Sequence, residues 1–116
     1  MHADFPMITR FALFEGHVHN GQTGAFRAAI LAEVLPHWNT FPGALAVRVC
    51  FADDRDESAP EIPLVLAINY PDHATMIAAL ASPARAAAKS ATEAVLARYF
   101  TGRIHHHITQ AHEHVR

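Results

Sequence analysis

The chain has 116 residues, 51% of them hydrophobic and 17% charged, with a formal net charge of −2. These values set a single folded domain over residues 1–116 and exclude a disordered chain and the basic footprint of a nucleic-acid binder. The one cysteine, Cys50, has no partner for an internal disulfide, which agrees with a reducing, cytoplasmic setting, and no run of ~18 apolar residues marks a membrane span.

Residues 1–6 read as a loose end closed by Pro6, without the basic and then apolar pattern of a secretory leader. Met7–His19 reads as the first strand. Ile8, Ala12, Phe14 and Val18 fall on one side with Arg10 and Gly16, and Phe11, Leu13, Glu15, His17 and His19 on the other. Both sides are partly apolar, so both faces of the sheet should be covered. A turn at Asn20–Gly24 offers Thr23 as a helix cap. Ala25–Leu35 follows as a helix, with Phe26, Ile30, Leu31 and Val34 at helical spacing. Pro36 disfavours its continuation, and Pro42-Gly43 makes a sharp turn.

Ala44–Phe51 reads as the second strand, and Asp53–Glu61 as a solvated loop whose acids lack the spacing of a calcium loop. Ile62–Tyr70 is the third strand. Asp72 can cap the helical segment His73–Ala81, and Ser82-Pro83 starts the alanine-rich helix Pro83–Tyr99. Gly102 is the expected helix stop. The last strand starts at Arg103, and the segment 103–116 holds five of the ten histidines. The run His105-His106-His107 continues a strand pattern and does not read as a tag.

The order is β-α-β-β-α-β, the ferredoxin-like α+β arrangement with an antiparallel four-stranded sheet. Right-handed crossovers place the first strand between the third and the last, with the last antiparallel to it. Ile104 and Ile108 then join Ile8, Ala12, Phe14 and Val18 on the helix-packed face. Glu15, His17 and His19 share the other face with Arg103, His105 and His107. The end of the first strand lies beside the start of the last, so His17 is expected near His105, and Glu15 near His107.

Imidazole is a good ligand for zinc, iron, copper and nickel, which makes His17, His19, His105 and His107 a possible transition-metal set. Without a metal, a histidine oriented by Glu15 can act as a general base. The same residues also suit a merely polar strand face. His106, of opposite parity, reads as a core or rim histidine, and His112 and His114 as solvated. His2 and His73 read as exposed. Arg48 and Asn69 fall on the histidine face as candidate substrate anchors, an alternative to a salt bridge or dimer contact. Trp38, with His37 and Phe41, can close a pocket or fill the core. Cys50 reads as a small buried hydrophobe.

Three stretches carry a family resemblance. They are Pro42-Gly-Ala-Leu-Ala-Val-Arg-Val49 entering strand two, Leu66-Ala-Ile-Asn-Tyr70 before Pro-Asp, and the helix break Leu80-Ala-Ser-Pro-Ala-Arg85. With the element order, they make residues 7–115 resemble the dimeric α/β-barrel superfamily, in the range of EthD-like and antibiotic-biosynthesis monooxygenase-type proteins. The resemblance implies a homodimer with two sheets face to face, a protomer pocket for a small apolar or aromatic molecule, and chemistry without a cofactor. It carries over no catalytic residue. Together with the paired histidines it points to a catabolic enzyme of cofactor-independent monooxygenase or isomerase type. Its candidate catalytic residues are His17, His105, His107 and Glu15, and its candidate substrate contacts are Arg48, Asn69, Trp38 and His19. The alternative is a homodimer that binds a small ligand or metal without catalysis.

Overall fold

The computed structural model describes residues 6–116. The expectations for residues 1–5, His2 among them, lie outside the described residues. The strands are β1 (Met7–Val18), β2 (Ala46–Phe51), β3 (Leu64–Tyr70) and β4 (Phe100–Ala111). They form one antiparallel sheet in the order β2-β3-β1-β4, as the crossover rule requires. The helices are α1 (Thr23–Ala29), α2 (Leu35–Trp38), α3 (His73–Leu80) and α4 (Pro83–Tyr99).

The first helix does not stop before Pro36. A π-helical segment, Ile30–Val34, links α1 to α2, and the Leu35 N–H reaches the Ile30 carbonyl five residues back. That widened turn admits Pro36 near the start of α2, where a missing N–H costs little. Trp38 is thereby still helical. Thr23 is the first helical residue and makes no cap; Gln22 holds the cap position. Asp72 caps α3 as its position predicts, accepting from the Thr75 N–H at 2.8 Å. Ser82 precedes α4, but its hydroxyl donates to the Ala79 carbonyl.

Gly102 is not a helix stop. It lies in β4 opposite Gly16 of β1. A Cβ on either glycine would run into the partner strand's backbone and the Phe100 ring. The pair therefore makes room for Phe100, which stacks on Phe26 at 6.2 Å and meets Phe14 edge-on at 6.5 Å. Phe26 in turn meets Phe51 at 6.4 Å. These four rings fill one end of the helix-covered face. Leu64, Leu66, Ile68 and Tyr70 of β3 supply the middle of that layer, all buried.

Among the described residues, no helix covers the other face of the sheet. That face carries Phe11, Leu13 and Glu15 of β1, Val65, Ala67 and Asn69 of β3, Arg48 and Cys50 of β2, and His105 and His107 of β4. Cys50 is exposed there, which corrects its reading as a buried hydrophobe: it alternates with Val49 and Phe51, and those two face the helices. β4 ends at Ala111, so His112 and His114 lie beyond the ladder and are exposed, as is His73.

Candidate functional site

Beside the phenylalanine cluster, and sharing Phe14 with it, part of the helix-covered face is not filled. Between α4 and the sheet lies a cavity of about 260 Å³. Its floor is Ala12, Phe14, Leu66 and Ile68, and Trp38 and Phe41 form an aromatic wall. The roof is the stripe Arg85, Ala88, Lys89, Thr92 and Glu93, spaced as one face of a helix. Ala88 is the reason for the space. It is 2% exposed yet has only a methyl group to offer the sheet. The Thr92 hydroxyl is spent on the Ala88 carbonyl at 2.7 Å, so it presents its methyl side. Trp38 reaches the cavity because the helix runs on past Pro36.

Two guanidiniums share this cavity. Arg10 stands on the core-facing row of β1, between Ile68 of β3 and Ile108 of β4. Burial, and then the charge of Arg85, depress its pKa. The third polar group is His106, opposite Ala12 on the same face. Desolvation lowers its pKa to about 4, with Arg10, Arg85 and His105 acting in the same direction. The imidazole is neutral throughout the physiological range. Tyr70, fully buried one core-facing step beyond Ile68 on β3, holds its hydroxyl without a partner among the described residues. Its burial raises the phenol pKa against the opposing pull of Arg10 and Arg85.

The histidine face is arranged differently from the sequence expectation. The register is offset by four residues: His17 faces Thr101, Glu15 faces Arg103, and Leu13 faces His105. His17 and His105 are therefore not neighbours, and Glu15 does not lie beside His107. Instead, Glu15 contacts its diagonal neighbour His105, with Oε1 3.0 Å from Nε2, in a geometry that leaves that nitrogen without a hydrogen bond. The His105 and His107 rings lie 5.9 Å apart. His17 turns to the loop before β3, with Nδ1 3.3 Å from Glu61, while His19 Nε2 meets the Thr101 hydroxyl at 3.0 Å. Among the described residues, no group of three or more His, Cys, Asp or Glu side chains is placed to hold a metal ion. The candidate set is split three ways: His17 meets Glu61, His19 meets Thr101, and His105, beside His107, meets Glu15.

Asn69 lies on the histidine face but accepts from the Thr9 hydroxyl at 2.7 Å. Arg48 is exposed on β2, separated from β4 by two strands. Of the candidate substrate contacts, Trp38 is the one that lines the cavity. Sequence reasoning placed Arg10 and His106 on the core-facing side but named neither as a site residue, and it missed Arg85. The available signal was Arg10: a cation on the core-facing row of a central strand needs a reason.

No protein-family model matches this chain, and no curated protein matches it. Solved structures do. An EthD-family protein from Bacillus halodurans C-125 superposes with a TM-score of 0.65 at 17% identity, covering 90% of this chain and 98% of that one. SnoaB, a cofactor-independent oxygenase from Streptomyces nogalater, matches at a TM-score of 0.61 and 20% identity, over 95% and 97%. A dimeric protein of unknown function and ferredoxin-like fold from Bacteroides fragilis NCTC 9343 matches at 0.61 and 8%, over 90% and 96%. At such identities the likeness is one of fold. The chain has the ferredoxin-like α+β fold that the sequence resemblance implies, and shares it with EthD-family and cofactor-independent oxygenase structures.

Proposed function

We propose that this chain is a cofactor-independent monooxygenase of a small aromatic molecule, acting as a homodimer, with the cavity under α4 as its active site. The observation that carries the proposal is an apolar, aromatic-walled cavity with an imidazole held neutral at its edge. SnoaB supports the reaction type, since it performs an oxygenase reaction without a cofactor on the same fold. His106 accepts a proton from an activated C–H or O–H of the substrate. Arg10 and Arg85 stabilise the resulting anion, which lowers the cost of giving a proton to a weak base. The substrate anion supplies the electrons to dioxygen. One oxygen atom ends as a carbonyl on the former methylene carbon, and the other leaves as water with the two displaced hydrogens. Returning the proton to a different carbon would make the same site an isomerase.

The uncovered face, with Phe11, Leu13, Val65 and Ala67 flanked by His105 and His107, is the proposed dimer interface. The dimeric ferredoxin-like neighbour supports this. On this reading, His105, His107 and Glu15 serve the interface and His106 the chemistry.

The test uses chelator-treated protein with a panel of bicyclic phenols and lactones, followed by oxygen uptake and product mass. A product that keeps one oxygen atom, with turnover reduced by about 10²–10⁴ in His106→Gln, is the expected result. Turnover without oxygen marks the isomerase. A ligand recovered unaltered in air marks a binding protein. Loss of activity in His105→Ala but not in His106→Gln would move the chemistry to the open face.

A further inference from the structure

Among the described residues, neither Arg10 nor Arg85 forms an ion pair or a side-chain hydrogen bond. This differs from Arg27, Arg98 and Arg103, each of which meets a carboxylate. Exposed arginines need no partner, but Arg10 stands on the core-facing row of a central strand. A guanidinium there has lost part of its water and gained no acceptor in exchange, and a second guanidinium in the same cavity adds repulsion. Lys89 adds a third cation to the lining, and among the described residues Glu93 is the single carboxylate there. Two features of the cavity lining, the unpaired Arg10 and the unpaired Arg85, have one common remedy: an anionic acceptor with more than one oxygen.

We infer that the ligand of this cavity is a planar aromatic carboxylate, its ring system against Trp38 and Phe41 and its carboxylate held by Arg10 and Arg85. Guanidinium is the side chain that grips a carboxylate with two parallel N–H donors, and it does so best out of water. The cavity, about 260 Å³, lies just below the ~300–1,000 Å³ usual for small-molecule sites, which limits the ring system to one or two rings. The inference rests on the cavity being the ligand site, as proposed above, and adds the charge of the ligand. It also explains how His106 can serve as a base. An anion beside the two guanidiniums offsets their field, so the imidazole becomes more basic when the ligand binds.

Calorimetric titration with 2-naphthoate and its neutral isostere 2-naphthamide tests this. The wild-type chain should bind naphthoate at least tenfold tighter than naphthamide. Arg85→Gln and Arg10→Gln should each weaken naphthoate by about 10- to 100-fold, the range for hydrogen bonds to a charged group, and leave naphthamide unchanged. Without ligand, Arg10→Gln should melt no lower than the wild type, because the guanidinium it removes has no partner to lose. A structural arginine would behave in the opposite way. Equal binding of the two ligands overturns the inference while leaving the cavity as the site, and so does naphthoate affinity unchanged in both variants. Failure of both ligands to bind overturns the active-site reading itself. If Arg10→Gln melts lower and loses both ligands, Arg10 is structural and the clamp is wrong.

Discussion

Three consecutive histidines in β4 have different environments. His105 and His107 point to the bare face of the sheet, where one touches Glu15 and both rings lie near each other. His106, between them, points under α4 toward two arginines and is held neutral. The residue type is the same and the spacing is one residue. What differs is the pleat, which sends alternate side chains to opposite faces. A histidine cluster in a strand sequence is thus two half-clusters, and only one of them can share a pocket.

The largest expected contrast between the faces lies on β1. Phe14 is 1% exposed, within the aromatic cluster. Phe14→Ala should cost ~3–5 kcal/mol, the usual range for a large core truncation, at any protein concentration. Phe11→Ala, on the bare face, should cost less and act through the proposed assembly, lowering the melting temperature mainly at concentrations where that dimer would form. Denaturation of both variants over a hundredfold range of concentration separates the two. A concentration-independent loss in Phe11→Ala as large as that in Phe14→Ala would erase the distinction between faces.

Gly16 gives a middle-sized effect. A Cβ there meets the Thr101 carbonyl, the Gly102 backbone and the Phe100 ring, and two of these three are main chain that cannot swing aside. Gly16→Ala should cost ~1–3 kcal/mol, as over-packing does, and should loosen the β1–β4 pairing. Urea denaturation gives the first value, and amide exchange along β4 checks the second. A neutral substitution would mean that the two strands part easily at this end.

His106 supplies a smaller, pH-dependent contrast. Its folded pKa of about 4 lies below its ordinary value of 6.5. The unfolded chain therefore takes up the proton first. This group's contribution to stability is fully present above pH 6.5, falls as the pH drops toward 4, and is lost below that. Because His106 is exposed by its surface area, solvent screening reduces the effect to no more than about 1 kcal/mol. Wild type and His106→Gln compared by urea midpoint from pH 7 to pH 4 should diverge in slope, with the variant flatter. Parallel curves would show that His106 is not desolvated.

The fold was readable because its signals are redundant. The β1 alternation of Ile8, Ala12 and Phe14, the Asp72 cap and the Ser82-Pro83 restart each set one element, and the crossover rule orders the strands. The face assignment of Glu15, His105 and His107 follows from parity alone. The register does not, since parity is unchanged by a shift of four residues, and only the Gly16–Gly102 pairing around Phe100 selects it. The cavity was hidden for another reason. It depends on a π turn that carries Trp38 past Pro36, and on which face of an alanine-rich helix meets the sheet. Neither is a matter of local propensity.

The smallest effect lies at the end of the bare face and has the opposite sign. His17 is exposed, and its hydrogen bond to Glu61, then that to Asn20, raise its pKa above 6.5. The folded chain therefore holds this proton more tightly than the unfolded one. The contribution is fully present below pH 6.5 and is lost as the pH rises through the folded pKa. Two histidines of one chain thus tilt stability in opposite directions, one because a carboxylate faces it and the other chiefly because it is desolvated, with guanidiniums beside it adding to the effect. Imidazole resonances followed by NMR from pH 3.5 to 8.5 should show His106 titrating near 4 and His17 above 6.5. Glu61→Gln should move the His17 midpoint down and leave that of His106 in place. If both midpoints moved together, the two faces would be electrostatically coupled through the sheet and could not be treated as separate environments.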